Sequence, residues 1–320
     1  MPRPRYLVVP TSGTRLGSSL NGSNFTQTDA IPGMTSGANH LEWFTNDRLW
    51  VLAGCADGVC KRSADGLTWT TITTGFEGSG YSVARIIKHG SVWIAIGRGP
   101  TNIAVSTSPD LVTWTIRTTA FDGSNPGLYD IATNGSTVII VGYAGAAPTV
   151  QYSTNNGATW TTSLTFGVGV TNLNAATYSS AAGLFMVAGG AGGLGTVYTS
   201  PDGINWSSQT PPVADQIIDL SYANGVILAT TANKLWTSTN GTNWTERTGH
   251  GLTGDIYTGS LARALDTTHA FAAGDASGKV SLSDRTGTVW TTAVDAGVGG
   301  VLVRGIGAIP TSPGQLLPLL

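Results

Sequence analysis

One short word returns seven times along this chain. The copies read 19-SLNGSNF-25, 63-SADGLTW-69, 108-SPDLVTW-114, 153-STNNGATW-160, 200-SPDGINW-206, 238-STNGTNW-244 and 283-SDRTGTVW-290. Their aromatic residues Phe25, Trp69, Trp114, Trp160, Trp206, Trp244 and Trp290 stand 44, 45, 46, 46, 38 and 46 residues apart. A catalytic group is rarely needed seven times in one chain, whereas a turn that shapes a repeating unit is needed once per unit.

The units share an internal order. A mixed strand such as 82-SVARIIK-88, 128-LYDIATN-134, 217-IIDLSYA-223 or 260-SLARALD-266 comes first. After a Gly or Asn turn follows an apolar strand: 49-LWVLAG-54, 92-VWIAIG-97, 137-TVIIVG-142, 184-LFMVAG-189 and 226-VILAT-230. A third, alternating strand leads into the word, and the Trp opens a Thr-rich edge strand such as 69-WTTIT-73. Period-two alternation bounded by Gly, Asn and Asp turns predicts strands, and no segment has helical periodicity. Four short strands in a period of 40–50 residues indicate an all-β propeller with four-stranded antiparallel blades. The chain begins on a second strand, 5-RYLVVP-10, and the missing first strand is found at 301-VLVRGIGAI-309. The two ends complete one blade, which removes the open sheet edges of a linear array. The expectation is a single seven-bladed propeller over residues 1–309, followed by a tail, 310-PTSPGQLLPLL-320.

The pattern Ser-x-Asp-Gly-x-x-Trp resembles the Asp-box, the bacterial neuraminidase repeat of β-propellers, across residues 5–309. In that family the acids are structural. The third-position residues Asn21, Asp65, Asp110, Asn155, Asp202 and Asn240 can accept hydrogen bonds from backbone N–H groups of the turn, and three of the six are Asn, which cannot work as an acid or base. Gly supplies a backbone angle closed to other residues, Ser adds a local bond, and the Trp fills space between blades. Arg285 stands where the seventh copy should have its acid, so that turn is expected to be distorted; Leu111 replaces Gly in the third copy.

If the words join third and fourth strands on one face of the disc, the loops between blades lie on the other, where propellers usually bind ligands. Aligning the first strands brings Glu42, Arg85, Asp130, Ala175, Asp219, Arg263 and Arg304 to one channel-facing level. Six charges summing to zero read as a ring of neighbouring ion pairs, since partly buried charges need partners. The alternative is a ligand site in which the arginines grip a carboxylate or phosphate. Sialidases resemble this arrangement, but they also need a Tyr–Glu pair and an Asp acid, and they resemble six-bladed rings. The chain has only Glu42, Glu77 and Glu246, and Glu246 falls on an edge strand. Phe76, Phe121 and Phe166 follow their motif Trp by six or seven residues, as plugs of the inter-blade loops or as carbohydrate platforms. The four histidines are scattered and suggest neither a triad nor a metal site, and no cofactor is implied.

Charged residues make up 11% of the chain against about 25% in ordinary domains, so Thr, Ser, Asn and Gly must cover the surface. A net charge of −2 leaves no nucleic-acid footprint, and no apolar run is long enough for membrane insertion. The start has no signal-peptide core. Cys55 and Cys60 flank four residues and are either bonded across a hairpin or reduced. The tail ends in LLPLL, too apolar to stay in water; it should pack on the propeller or dock into a partner, with a partner favoured. This style of sequence resembles bacteriophage tail and capsid appendage proteins. It implies a non-enzymatic virion component, assembled in the host cytoplasm, that meets other virion proteins, in part through the tail, or a host-surface glycan. A glycan-binding lectin and a sialidase-like hydrolase are the alternatives.

Overall fold

Apolar second strands and polar fourth strands are what a radial stack of sheets requires, because the middle of each sheet is covered on both faces while its outer edge meets solvent. The computed structural model describes residues 4–54, 58–76, 81–98, 103–117, 119, 121, 127–144, 147–165, 172–191, 194–260 and 269–309. Among them, 28 strands form seven four-stranded sheets. Blade 1 orders β28 (Val303–Ala308), β1 (Tyr6–Pro10), β2 (Gly17–Ser19) and β3 (Thr26–Gln27) from the axis outward. Blade 2 holds β4 (His40–Phe44), β5 (Leu49–Ala53), β6 (Cys60–Ser63) and β7 (Thr70–Ile72). Blade 3 holds β8 (Ser82–His89), β9 (Val92–Arg98), β10 (Ile103–Ser108) and β11 (Thr115–Arg117). Blade 4 is β12 (Gly127–Thr133), β13 (Val138–Ala144), β14 (Ala147–Ser153) and β15 (Thr161–Thr165). Blade 5 is β16 (Leu173–Ser179), β17 (Leu184–Ala191), β18 (Leu194–Ser200) and β19 (Ser207–Gln209). Blade 6 is β20 (Asp219–Ala223), β21 (Val226–Thr231), β22 (Lys234–Ser238) and β23 (Thr245–Arg247). Blade 7 is β24 (Tyr257–Ser260), β25 (Phe271–Gly274), β26 (Lys279–Leu282) and β27 (Val294–Asp295).

The first strands β28, β4, β8, β12, β16, β20 and β24 touch in an unbroken circuit around the axis. Antiparallel pairing of β28 with β1, from Tyr6 opposite Ala308 to Pro10 opposite Val303, closes the ring. The second strands are the buried ones: all five residues of β1 and all four of β25 are inaccessible to solvent. The fourth strands are exposed, as at β3 and β19. No helix among the described residues is long and apolar enough to cross a membrane.

Seven apolar clusters fill the seven spaces between blades, and each receives one motif aromatic. Phe25 closes the space between blades 7 and 1, Trp69 that between 1 and 2, and Trp114 that between 2 and 3. Trp160, Trp206, Trp244 and Trp290 repeat this around the disc. Phe76 and Phe121 are buried in two of these spaces, 1% and 4% exposed, so they are plugs and not stacking platforms; Phe166 lies outside the described residues. Cys60 is buried, its thiol against the Gly58 carbonyl, and Cys55 lies outside the described residues.

The recurring turns are built from the expected bonds. Oδ1 of Asp65 accepts from the N–H groups of Leu67 and Thr68, both at 2.8 Å, while Ser63 Oγ accepts from Gly66 N–H. The side-chain oxygen at the third position accepts in the same way at Asn21, Asp110, Asp202 and Asn240. Backbone N–H groups of Asn205 and Ile204 hold the Asp202 carboxyl well below its ordinary range. Leu111, in the Gly position, adopts φ 61°, and its side chain is buried between blades 2 and 3. Apolar burial there offsets the left-handed backbone, which costs about 1–2 kcal/mol for a non-glycine residue.

The seventh turn departs from expectation in a specific way. Its acid is not missing but displaced by one position: Asp284 Oδ1 accepts from Thr288 N–H at 2.8 Å and from Val289 N–H at 3.2 Å. The longer loop lets the carboxylate reach the same donors from one residue earlier. Asp284→Ala is therefore expected to cost about 1 kcal/mol, the cost of losing a cap, and Asp284→Asn, which keeps the accepting oxygen, only a fraction of that. Thermal melts of the two variants check this; equal losses would contradict it.

Candidate functional site in the central channel

The strand registers define the channel level. In each second strand one residue stands just before the Gly or its equivalent, and its partner on the first strand marks one level of the channel. These partners are Gly305, His40, Arg85, Asp130, Ala175, Asp219 and Thr258. The glycines permit close approach: a Cβ at Gly97 would lie 2.3 Å from the Ser82 carbonyl oxygen, and one at Gly189 2.0 Å from that of Asn172. Beside each, the first strand bulges by one residue, at Ala84 and at Asn174.

Arg85, Asp130 and Asp219 thus share the level that the sequence alignment gave them. Glu42 and Arg304 do not. Glu42 sits two residues beyond His40, one pleat nearer the motif face, and its carboxylate lies 3.7 Å from His40 Nε2. Arg304 occupies the bulge before Gly305, so its side chain turns toward the linker face, where Nη1 donates to Asn39 Oδ1 at 3.1 Å. Its guanidinium also lies over the Tyr257 ring, 5.4 Å from the centroid. Arg263 lies outside the described residues.

Among the described residues, Arg85 joins two of these charges in a bridge across the axis. Arg85 Nε donates to Asp130 Oδ1 of the next blade at 2.9 Å, and its Nη2 reaches Asp219 of blade 6 at 3.4 Å. The side chain passes blade 5 because that blade presents only Ala175, which is fully buried in the space beside it. Asp130 also accepts from Ile131 N–H and, across the blade gap, from Ala176 N–H, each at 2.9 Å. Asp219 accepts from Leu220 N–H at 2.9 Å. Burial pushes the Asp130 carboxyl up to about 6; Arg85 opposes the rise and Asp219 adds to it. Burial works against the Arg85 charge, yet Asp130, Asp219 and Glu42 outweigh it and hold the guanidinium charged.

The bridge divides the channel, and Arg85 lines the cavity on each side. Toward the linker face lies a polar cup of about 1180 Å³, lined by Asn39, Arg98, Gln216, Asp255, Tyr257 and Arg304 among others. Asn39 and Asn174, which sequence reasoning did not single out, stitch successive blades around this cup by donating to the carbonyls of Val83 and Ile217. Their only sequence signal is an Asn at the entry of a first strand. Glu42 faces the cavities on the other side of the bridge from Tyr257, so the two do not form a Tyr–Glu pair. Glu246 is on the edge strand β23, paired with Lys234, and Glu77 lies outside the described residues. Among the described residues no group of three His, Cys, Asp or Glu side chains could hold a metal ion.

This architecture is that of a seven-bladed β-propeller. Residues 108–249, under half of the chain, match the family described as the DUF6242 beta propeller domain. No curated protein matches the chain. Among solved structures, a protein from Lactobacillus plantarum is similar at 11% identity, with 95% of this chain and 98% of that one covered and a TM-score of 0.64. YCF48 bound to D1 peptide is similar at 14% identity, over 86% of this chain and 91% of that one, TM-score 0.61. A chain of the nidogen/laminin complex is similar at 10% identity, over 96% and 100%, TM-score 0.57. At these identities the likeness is one of fold.

Proposed function

We propose that the protein is a non-enzymatic component of a bacteriophage virion, a tail fibre, spike or capsid appendage, that engages a host-surface glycan through the linker-face cup. The observation that carries this reading is the cup itself. Its floor is an ion bridge already satisfied by its own members, and its wall mixes amide, carboxylate, phenol and guanidinium groups. Such a wall suits a neutral, hydroxyl-rich polymer, whose every hydroxyl both donates and accepts. A charge-poor surface of Thr, Ser, Asn and Gly supports the virion setting. Propellers solved with a bound peptide or within a complex support a binding role in general terms.

A glycan array carrying bacterial surface polysaccharides tests the cup. Retention by at least one glycan is expected, weakened by roughly tenfold or more in Arg304→Ala, the loss of one charge-assisted contact, with the thermal melt retained. No retained glycan would remove the glycan reading. Gold-labelled antibody against the propeller should decorate phage particles; their absence would remove the virion reading. Turnover of a fluorogenic sialoside, lost in Arg263→Ala, would establish the hydrolase instead.

A further inference from the structure

We propose that Asn224 is a site of self-modification, at which the backbone nitrogen of Gly225 expels the side-chain amide as ammonia, and that the change unlatches blade 6 from blade 7. Asparagine is among the thermolabile residues. It is most vulnerable before glycine, which has no side chain to bar the approach of its own nitrogen. The chain holds five such pairs: Asn21–Gly22, Asn134–Gly135, Asn156–Gly157, Asn224–Gly225 and Asn240–Gly241. To become a nucleophile the glycine nitrogen must lose its hydrogen. An N–H already donated to an acceptor is held back by that bond.

Four of the five are held. Gly22 N–H donates to Ser19 Oγ at 2.9 Å, Gly135 N–H to Thr133 Oγ1 at 3.0 Å, Gly157 N–H to Ser153 Oγ at 2.9 Å and Gly241 N–H to Ser238 Oγ at 2.8 Å. Three of the carboxamides under attack are fixed as well. Oδ1 of Asn21, Asn134 and Asn240 accepts from the backbone N–H groups two and three residues on. Asn224 and Gly225 form the two-residue loop between β20 and β21, with φ 49° and 84°, as a primed hairpin turn requires. The ladder closes with Ala223 opposite Val226 and does not reach Gly225. Among the described residues the Gly225 N–H therefore has no acceptor, and Asn224 is exposed to the water the reaction consumes.

A bond forms between Gly225 N and Asn224 Cγ, the bond from Cγ to Nδ2 breaks, and the departing amide takes up the Gly225 hydrogen and leaves as ammonia. Water then opens the five-membered imide at either carbonyl and gives aspartate or isoaspartate. One water enters, one ammonia leaves, and nothing is oxidised or reduced. The amide that is lost is the latch: Asn224 Nδ2 donates to the carbonyl of Arg285, in the recurring turn of blade 7, at 3.2 Å. A carboxylate only accepts, so the product sets one acceptor against another where a bond had joined two blades. The assignment stands apart from the cup on the opposite face and from the tail 310–320, which lies outside the described residues.

Peptide mapping by mass spectrometry, after the full chain has aged in warm, mildly alkaline buffer, tests this. Conversion at Asn224 is expected to run about tenfold faster than at the other four sites, the factor that one ordinary net hydrogen bond represents. Similar rates at all five, or faster conversion elsewhere, overturn the proposal. In chemically unfolded chain the five rates should converge; the same preference there would assign it to sequence alone and overturn the structural argument. Ser238→Ala frees the Gly241 N–H and should raise conversion at Asn240 severalfold, whereas an unchanged rate means that the hydroxyl does not protect. The melting midpoint should fall as converted Asn224 accumulates, and fresh Asn224→Asp should melt at the lower value. A midpoint that ignores both would overturn the latch.

Discussion

Methionine in place of Arg85 is expected to lower stability at pH 7 by roughly 3–5 kcal/mol, the cost of breaking a buried pair by removing one partner. The side chains of Asp130 and Asp219 are 6% and 4% exposed, and both lose the Arg85 guanidinium at once. The deficit should depend on pH in a determined direction. Asp130 already titrates near 6 in the folded protein, above its ordinary 3.8, with burial the largest cause. Between those values the folded state binds more protons than the unfolded one, so this group's contribution is fully present below the lower value and is lost as pH rises through the upper one. Removing Arg85 deletes the influence that lowers the folded value, so the loss extends to higher pH. The difference between wild type and Arg85→Met should therefore shrink as pH falls from 7 toward 4.5. His89 and His250, both lowered by burial, act in the opposite sense but equally in the two proteins, and cancel in the difference. Adding Asp130→Asn to Arg85→Met should recover part of the loss at pH 7. Thermal melts across this range decide the matter, and a deficit that does not change with pH would refute the bridge.

The second large effect belongs to the recurring word. Trp160→Ala is expected to cost about 3–5 kcal/mol, as for other large buried aromatics. Its ring is 8% exposed within the cluster between blades 3 and 4, and its Nε1 donates to the Gly157 carbonyl at 3.0 Å. Asn155→Ala, in the same turn, removes an acceptor for Thr159 N–H at a solvent-facing site and should cost only about 1 kcal/mol. Melts of the two variants should differ clearly; matching midpoints would mean that the aromatic does not hold the blades together.

The blade count and ring closure were legible because they rest on periodicity, and seven aromatics fill seven inter-blade spaces with none left over. The apolar second strands were legible for the same reason, since burial on both faces writes itself as an unbroken apolar run. The channel was half legible. Arg85, Asp130 and Asp219 could be aligned through the second strands they pair with, but Arg304 could not, because a bulge is a backbone event with no residue signature. Glu42 was misplaced because β4 pairs with β5 without a bulge, so counting along the chain overshoots by one pleat. That Arg85 crosses to blade 6 depends on the room left by Ala175, a contact three blades apart that no spacing within a repeat can announce. Asp284 escaped notice because a loop longer by one residue moves the acid without changing its bonds.

Pairing between β1 and β28 has a consequence for the time course of synthesis. The inner edge of the first sheet to emerge finds its neighbour only after almost 300 further residues, about 15–60 seconds at ordinary ribosomal speeds. During that interval Tyr6–Pro10 presents an apolar, unpaired edge to water. Shielding of that nascent edge, by a chaperone or by low temperature, should govern the yield of soluble protein more than any property of the finished disc.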